Sequence, residues 1–342
     1  MSTVAYRQII AASPRDRLDL FLATANRIGA PVRNVEKDFW VCWTLNLLYH
    51  ERPAGEPRLL FKGGTSLSKD YGLIQRFSED IDVTVFSDDL DEATSVEELE
   101  GLSNKKRRAK LDAIRDACRA YIGSLRDFLT AQLADITNGA GRVELDEADA
   151  DGQTLLLWYP EVEPRDGAYV RPAIRLESGA KRRSIPIAPS RSRPMSRRKR
   201  QALADVTTIE ATRTFWDKVV IAHGLRRWYE RRGELRQEGQ RVSRHYYDLH
   251  CLLGSETGKA ALGDLDLGAD CVRHARMFFD RPDYDLASAV PGSFAIAPAP
   301  KMVDALTRDY ANTAAMIFGT PPSFDDILES ARQIEQDINT HS

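Results

Sequence analysis

The chain has 342 residues, of which 42% are hydrophobic and 29% are charged, and its formal net charge is −3. This length suits two domains, or one large domain with a helical extension, and the composition predicts a globular protein with a sizeable core. The apolar runs are too short for a transmembrane segment, and the first residues lack the basic start and apolar stretch of a secretory signal. We therefore expect a cytoplasmic protein.

The four cysteines are spread along the chain. Cys42, Cys118, Cys251 and Cys271 form no CxxC pair, and all lie in apolar or predicted helical surroundings. We predict free thiols, because neither a disulfide framework nor a zinc site has this spacing.

The charges are distributed unevenly. Residues 79–100 carry ten acidic side chains and no basic one, whereas residues 181–200 carry nine Lys or Arg and no acid. Opposite charges kept this far apart permit an acidic metal site and a basic groove for nucleic acid. Two solvated loops of opposite sign are the alternative interpretation.

In chain order, the first 50 residues predict mostly helix, with apolar residues at near-helical spacing in “VEKDFWVCWTLNLLYH”. The short apolar segment “RLLF” predicts a strand that stops at Gly63 and Gly64. The following “TSLSKDYGL” predicts a helix with Thr65 or Ser66 as its N-cap. “IDVTVF” alternates and is rich in β-branched residues, which predicts a strand.

Residues 87–104 predict an acidic loop, and residues 105–138 a long amphipathic helix. “TLLLWY” and “AYVRPAIRLES” predict two further strands of the same sheet, and residues 180–200 a loop or linker. Helices are then predicted over residues 209–232, 243–253, 257–278, 300–317 and 323–338. The predicted fold class is α+β, with an α/β domain containing a mixed sheet in residues 1–205 and a helical C-terminal domain in residues 206–342.

Two carboxylates stand out in “FKGGTSLSKDYGLIQRFSEDID”, residues 61–82. Asp80 and Asp82 lie two apart on a predicted strand, so that both side chains point to one face. Two like charges this close favour a bound cation, and ligands that offer only oxygen suit Mg²⁺. We predict that Asp80 and Asp82 bind one or two Mg²⁺ ions.

The glycine turn upstream has the chemistry of a phosphate site. Gly63 and Gly64 allow a ligand to approach the backbone closely, and the helix that follows offers its N–H groups to an anion. Thr65 and Ser66 can donate hydroxyl hydrogen bonds, and Lys69 adds positive charge. Phosphate and metal sites in one unit are what nucleotidyl transfer from a nucleoside triphosphate requires.

Each part of this pattern has a structural alternative. An isolated Asp-x-Asp at a strand end, or a Gly-Gly before a helix, commonly serves the fold alone. “DIDVT” also fits the nucleophile motif of haloacid-dehalogenase-type phosphatases. That motif follows a buried hydrophobic strand, and the preceding “IQRFSE” is too polar for one. We therefore favour the nucleotidyl-transfer interpretation.

The stretch “EKDFWVCWTL…LLFKGGTSLSKDYGLIQRFSEDIDV” resembles the nucleotidyltransferase toxins of the AbiEii/AbiGii type, and with them the wider MenT-like group of type IV toxin–antitoxin systems. “TFWDKVVIAH” and “SRHYYDLHCLL” resemble the downstream motifs of this family. The resemblance spans roughly residues 35–255, and the last part of the chain carries no motif of the family. It implies a nucleotidyltransferase-like α/β domain followed by a helical domain.

The resemblance also implies roles for particular residues. Asp80 and Asp82 match the metal-binding pair, and Gly63 to Ser66 match the phosphate turn. Lys218 resembles the family lysine that contacts the phosphates of the nucleotide. Asp248 resembles the later catalytic aspartate, as a general base or as the residue that orients the lysine.

Two further observations concern acidic and histidine side chains. Glu177 alternates with Arg175 on a predicted strand, and is either a third metal-binding carboxylate or an edge-strand residue paired with Arg175. His245 and His250 are five residues apart, so they point to different sides of a helix and cannot chelate one metal ion. We expect Arg244 and His245 to contact phosphate or to brace Asp248.

Basic stretches offer a surface for nucleic acid. Residues 181–200 are rich in Lys and Arg, and seven arginines lie between residues 226 and 244, with Trp228 and Tyr229 among them as candidates for stacking. Solvated helix faces are the alternative for the second stretch.

The family resemblance implies an enzyme that transfers a nucleoside monophosphate from a nucleoside triphosphate to an RNA acceptor. The expected acceptor is the 3′ end of tRNA, whose modification blocks translation. It also implies a role in phage defence and a cognate antitoxin with a winged-helix DNA-binding part. The alternatives are an enzyme of the same fold that nucleotidylates a protein or a small molecule, and a non-catalytic nucleic-acid-binding module.

Overall fold

The structure is a computed structural model that describes residues 3–78, 80–162, 172–181, 187–188, 206–236 and 241–340. The chain forms two compact units. Unit 1 comprises Met1–Asp70, Phe77–Ser95 and Leu102–Thr208. Unit 2 comprises Tyr71–Arg76, Val96–Gly101 and Ile209–Ser342. Two short segments from the first third of the chain therefore belong to the unit that contains the C-terminal helices.

Unit 1 begins with three helices, α1 (Thr3–Ala11), α2 (Pro14–Ile28) and α3 (Val32–Asn46). α2 starts where the Ser13 hydroxyl accepts a hydrogen bond from the backbone N–H of Asp16, with a proline in the first turn. The indole of Trp40 on α3 stacks on Tyr159, with a centroid distance of 5.4 Å. The prediction of a mostly helical N-terminal segment is confirmed.

The strand, glycine turn, helix and strand follow as predicted. They are β1 (Leu59–Lys62), α4 (Gly63–Lys69) and β2 (Asp80–Phe86). β1 and β2 are antiparallel, and Lys62 pairs with Asp82. The backbone of β1 leads directly into α4 at Gly63, so the turn and the Asp-x-Asp are held by two neighbouring strands.

The remaining strands of the described chain are β3 (Arg142–Leu145), β4 (Thr154–Trp158), β5 (Ala173–Glu177), β6 (Ala180–Lys181), β7 (Ile187–Ala188) and β8 (Thr208–Ile209). The sheet order is β3-β4-β5-β2-β1-β8-β7, with β6 also paired to β2. β2 runs parallel to β5 and antiparallel to β1, which confirms the predicted mixed sheet. The first residues of the predicted strand “AYVRPAIRLES” lie outside the described residues.

A long helix packs in the core of unit 1. This helix is α6 (Asn104–Thr137). The short helix α5 (Val96–Gly101), which belongs to unit 2, precedes it. Ser103 caps α6, and Asn138 ends it in a left-handed conformation. Its buried residues, among them Cys118 and Leu125, share one hydrophobic cluster with the sheet residues Ile81 and Val83. The periodicity that predicted the helix therefore marks the face that it buries.

Unit 2 is helical. Its long elements are α7 (Ala211–Arg232), α8 (Arg244–Leu253), α9 (Glu256–Leu262), α10 (Leu265–Phe278), α11 (Pro300–Ala314) and α12 (Phe324–Thr340). Trp216 of α7 is 1% exposed, and its indole N–H donates to the Ala261 carbonyl at 2.8 Å. A Cβ at Gly268 would lie 2.8 Å from this indole, so only glycine lets α10 approach. The predicted α+β fold class is confirmed.

Two details differ from the sequence predictions. The predicted acidic loop contains a short 3₁₀ helix over Ser87–Leu90 and the helix α5. The predicted helix over residues 257–278 is two helices, because Gly263 ends α9 and the Asp264 side chain caps α10. All four cysteines are free thiols, as predicted. None of the helices in the described part of the chain has the length and apolar character needed to cross a membrane.

Candidate functional site

The glycine turn lies directly against one of the carboxylates. Gly63 has a φ of +76°, in the region that favours glycine. A Cβ placed there would lie 2.8 Å from Cγ of Asp82 and closer still to its Oδ2. Gly64 beside it is buried. Gly63 therefore meets two requirements at once, a left-handed backbone and close approach to Asp82.

The two hydroxyls after the turn brace it from within. The Thr65 hydroxyl donates to the Asp80 carbonyl and lies 2.7 Å from the Ser78 hydroxyl. The Ser66 hydroxyl donates to the Gly63 carbonyl at 2.8 Å. The predicted N-cap role of Thr65 or Ser66 is wrong, because α4 already starts at Gly63 and its N-cap, Lys62, makes no side-chain cap. Both hydroxyl side chains are fully buried, which fixes the turn relative to β2.

Asp80 and Asp82 lie on one face of β2, and both are partly buried. In the parallel pairing with β5, Asp80 is opposite Arg175 and Asp82 is opposite Glu177. Directly paired residues of neighbouring strands share a face, so three carboxylates and a guanidinium line one row of the sheet. Lys62 of β1 pairs with Asp82 on the other side.

Glu177 is bound within this row by the guanidinium of Arg175, which also donates to Asp146 at 3.1 Å. The predicted Arg175–Glu177 pair is therefore present. The expectation of an edge strand is wrong, because β5 lies between β4 and β2.

The carboxylates of β2 have the chemistry that Mg²⁺ needs. Asp80 and Asp82 offer only oxygen atoms, and the Gly63 backbone beside Asp82 leaves no room for a side chain. Mg²⁺ commonly binds one or two protein carboxylates and completes its shell with water and substrate phosphates. Across the described residues, no group of three or more His, Cys, Asp or Glu is arranged to hold a metal. A pair completed by the substrate fits both observations.

Lys69, at the end of α4, points toward α3. Its ammonium group bonds to the Asp38 carboxylate and lies 3.6 Å from the Cys42 sulfur. Burial alone would lower the pKa of Lys69, but the Asp38 carboxylate and the Cys42 sulfur raise it above the usual value. Lys69 therefore stays a cation in this ion pair, and its predicted contact with phosphate remains a prediction.

In unit 2, the two later motif residues meet as predicted. Lys218 of α7 and Asp248 of α8 form an ion pair with an Nζ–Oδ2 distance of 2.7 Å. Arg76 binds the same carboxylate with two parallel hydrogen bonds, from Nε to Oδ1 and from Nη2 to Oδ2, both at 2.8 Å. All three are buried, and Asp248 is 0% exposed. Planar bidentate pairing of this kind is strong and specific in direction.

Arg76 is the residue that sequence reasoning missed. It lies in the polar segment “IQRFSE”, which was used only to exclude a buried strand. Its backbone pairs with Ile317, and the neighbouring Gln75 carbonyl accepts from the Phe318 N–H at 2.8 Å. No local sequence pattern predicts its contact with Asp248, which is 172 positions away.

The charges around Asp248 fix its protonation state. Burial alone would raise the pKa of Asp248, but Arg76 and Lys218 together hold it well below its usual value. Burial, reinforced by Arg76 and Arg244, lowers the pKa of Lys218 despite its contact with Asp248. A carboxylate this strongly stabilised as an anion is a poor proton acceptor. The geometry favours the orienting role for Asp248 over the general-base role.

The two histidines of α8, His245 and His250, have different surroundings. Burial, followed by the charges of Lys218 and Arg244, lowers the pKa of His245 well below its usual value. Its Nδ1 is buried and has no hydrogen-bond partner in the described part of the chain. His250 instead lies with Nδ1 2.8 Å from the Ser330 hydroxyl. The two rings therefore do not share a partner.

The arginines of α7 are used within unit 2. Arg226 and Arg227 both bind Glu230, and Arg232 binds Asp283. The guanidinium groups of Arg232 and Arg236 lie over the Trp228 ring, at 5.6 and 5.8 Å from its centroid. Several arginines of the predicted nucleic-acid surface on this helix therefore make ion pairs within unit 2. Most of the other basic stretch, residues 181–200, lies outside the described residues.

One family model matches most of the chain. The family model described as “Nucleotidyl transferase AbiEii toxin, Type IV TA system” matches residues 46–330. Among solved structures, the chain is similar to MenT4, a nucleotidyltransferase toxin from Mycobacterium tuberculosis H37Rv. That similarity has 17% sequence identity and a TM-score of 0.40, and it covers 94% of this chain and 98% of that chain. A comparison with curated proteins gave no match.

Proposed function

The chain belongs to the AbiEii family of nucleotidyl transferase toxins from type IV toxin–antitoxin systems, and on that premise we propose the reaction that it performs. It transfers a nucleoside monophosphate from a nucleoside triphosphate to the 3′ end of tRNA, which blocks translation. The acceptor hydroxyl forms a bond to the α-phosphorus, its proton is released, and pyrophosphate leaves. The observation that carries this proposal is the close approach of the Gly63 turn to the Asp82 carboxylate. Asp80 lies two residues before Asp82, on the same face of β2.

The carboxylates of β2 are proposed as the metal ligands. Asp80 and Asp82 would hold one or two Mg²⁺ ions, which when bound stabilise negative charge on the α-phosphate and the departing pyrophosphate. Glu177 is held by Arg175, so we assign it as a residue that orients this row of the sheet, with metal ligation as the alternative. Arg175 and Lys62 offset the mutual repulsion of the carboxylates.

The turn and Lys69 are proposed to position the triphosphate. Gly63 and Gly64 present backbone N–H groups to phosphate oxygens, and the buried hydroxyls of Thr65 and Ser66 keep the turn rigid. Lys69 contributes positive charge while Asp38 fixes its side chain. Preorganised donors of this kind cost little reorganisation during the reaction.

In unit 2, Lys218 is proposed to contact the phosphates, and Asp248 to position Lys218. Asp248 is shared between Arg76 and Lys218, so the carboxylate remains neutralised by Arg76 when Lys218 turns to a phosphate. This arrangement explains why a buried acid is kept beside a lysine whose charge is needed elsewhere. Asp248 is thus a positioning residue in this proposal, and so is Arg76.

Partners follow from the family. A type IV toxin has a cognate antitoxin. We propose that this antitoxin has a winged-helix DNA-binding part, that the pair acts in phage defence, and that the enzyme works in the cytoplasm.

One observation favours a second candidate function. The arginines of α7 are paired with acidic groups of their own unit, which weakens the case for an RNA surface on that helix. An enzyme of the same fold that nucleotidylates a protein or a small molecule needs no such surface. The basic stretch of residues 181–200 would then be dispensable for activity.

The test uses purified protein, Mg²⁺, total tRNA and each of the four α-labelled nucleoside triphosphates in turn. We expect label on tRNA with at least one triphosphate, and its loss in the Asp80→Ala/Asp82→Ala variant. Asp127→Ala, which removes a side chain that is 70% exposed on α6, is the control and should retain activity. Label on protein would support the second candidate. The absence of both transfer and triphosphate binding would contradict the proposed enzyme.

A further inference from the structure

The start of α8 is held by a buried carboxylate of α11. Ser243, the residue before α8, donates from its backbone N–H and from its hydroxyl to Oδ2 of Asp309, both at 2.7 Å. The Ser243 hydroxyl also lies 2.8 Å from the Thr313 hydroxyl, one turn further along α11. The exposed fractions of Ser243, Asp309 and Thr313 are 0%, 5% and 1%, so water does not compete for these contacts.

The Asp309 carboxylate is more deeply buried than is usual for this group. Its second oxygen, Oδ1, is buried and has no hydrogen-bond partner in the described part of the chain. Burying a carboxylate with an unpaired oxygen is unfavourable, and a neutral oxygen could accept the Ser243 hydrogen bonds at lower cost. A carboxylate anion, unlike a neutral group, is attracted to the partial positive charge at the N-terminus of α8.

The helix that Asp309 holds carries Asp248, the residue proposed to position Lys218. Arg244 and His245 follow Ser243 directly, and Asp248 lies in the next turn. Asp248 contacts Arg76 and Lys218 through hydrogen bonds of 2.7–2.8 Å, which tolerate little displacement. A shift or fraying of the first turn of α8 would therefore be transmitted to Lys218.

We propose that Asp309 is a positioning residue of the enzyme, and that its charge anchors the N-terminus of α8 so that Asp248 holds Lys218 in place. Asp309 lies in the part of the chain in which the sequence offered no motif. Its effect on catalysis rests on the proposed function, whereas its effect on α8 does not. The two consequences can therefore be measured separately.

The experiment compares Asp309→Asn with Asp304→Asn, which removes an exposed carboxylate from the same helix. Asp309→Asn keeps the side-chain shape and removes the charge. We expect KM for the nucleoside triphosphate to rise about tenfold, as for the loss of one charge-assisted hydrogen bond, with kcat changed much less. Asp304→Asn should match the wild type. A purely structural role would reduce the folded fraction and leave KM unchanged, and that result would overturn the proposal.

A second comparison places Asp309 in the same chain of contacts as Lys218. If Asp309 acts through Lys218, then Asp309→Asn has little further effect on KM in a Lys218→Met background. Full additivity of the two changes in KM would overturn the proposal.

Hydrogen exchange of the α8 amides tests the anchor without any assay of activity. We expect residues 244–248 to exchange faster in Asp309→Asn than in Asp304→Asn, with α12 unaffected. Unchanged exchange in α8 would overturn the proposal even in an active enzyme. If the wild type neither binds triphosphate nor transfers label, the proposed function fails, and the exchange comparison still decides whether Asp309 anchors α8.

Discussion

At the scale of single residues, the structure explains why the helix after β1 begins with a glycine. Gly63 combines a positive φ with a carboxylate in the place where its side chain would be. Sequence reasoning predicted that the glycines permit close approach, but assigned the approaching group to a ligand. In the structure the group already present is Asp82, so the glycine turn and the Asp-x-Asp lie side by side.

Gly63→Ala tests this contact. A methyl group would collide with the Asp82 carboxylate, and we expect transfer activity to fall by about 100-fold or more because a misplaced catalytic group costs that much. Gly55→Ala is the matched control, since Gly55 also has a positive φ, of +92°, but has nothing within 4 Å of a Cβ. Backbone strain should cost both variants about 1 kcal/mol of stability, and the collision with Asp82 adds to this loss in Gly63→Ala. Equal activity in the two variants would contradict the assigned contact.

A second prediction at this scale concerns Arg76, which no sequence pattern singled out. Arg76→Met leaves Asp248 buried with one of its two cations, and we expect the free energy of unfolding to fall by about 3 kcal/mol. Arg58→Met is the control, because Arg58 makes a similar bidentate pair with Asp89 but its side chain is 56% exposed. An exposed pair contributes about 1 kcal/mol or less. Urea unfolding of both variants measures the difference, and equal losses would refute a buried role for Arg76.

At the scale of elements, local sequence patterns predicted the helices and strands whose formation depends on neighbouring residues. The apolar spacing of α6, the alternation of β2 and the glycine stop after β1 all depend on neighbouring residues, and these elements lie where the sequence placed them. The break between α9 and α10 was not predicted, although Gly263 followed by Asp264 is a local stop and cap. The helix α5 was not predicted either, because its acidic side chains are held by Arg273, 173 residues away from Glu100.

A buried histidine on α7 gives a prediction for this scale. His223 is 0% exposed, its Nδ1 accepts from the Ala295 N–H at 3.1 Å, and its Nε2 lies 3.2 Å from the Asp285 carbonyl. This arrangement requires the neutral ring with its proton on Nε2. Burial lowers the pKa of His223 below its ordinary value, so the folded protein resists protonation.

The sign of the pH dependence follows. Above a pH of about 6.5 the ring is neutral in both the folded and the unfolded chain, and the full stability is present. Below that pH the unfolded chain takes up a proton that the folded chain refuses, so the free energy of unfolding decreases. His223→Gln should be less stable at pH 7.5 but lose less stability on going to pH 5.5. Parallel stability curves for wild type and variant would contradict the neutral-ring assignment. His245, whose pKa is also lowered, will contribute to the slope that remains.

At the scale of the whole molecule, the sequence predicted an α/β part followed by a helical part, but not which chain segments belong to each unit. The fold class, an α/β part with a mixed sheet followed by helices, could be predicted because it depends on periodicities. The predicted boundary between residues 205 and 206 lies near residues outside the described part, and the assignment of domains stays a prediction. Tyr71–Arg76 and Val96–Gly101 belong to unit 2. Such membership depends on long-range pairs such as Arg76 with Asp248, which no local pattern encodes.

The candidate site divides in the same way. Asp80, Asp82 and the turn could be predicted because their chemistry is contiguous in the sequence. The Arg175 contact of Glu177 was predicted as one of two alternatives, because both residues lie on one strand. The Asp38 contact of Lys69 and the Arg76 contact of Asp248 could not be predicted, because they depend on the fold. For Asp248, these contacts favour one of its two predicted roles, that of orienting Lys218, over that of a general base.

The central claim is that this chain joins a nucleoside monophosphate to the 3′ end of tRNA. The most direct measurement compares label transfer to one tRNA preparation before and after periodate oxidation, which destroys the terminal ribose diol. The account predicts strong transfer to intact tRNA, none to oxidised tRNA, and none to either with the Asp80→Ala/Asp82→Ala variant. Equal labelling of intact and oxidised tRNA would contradict it.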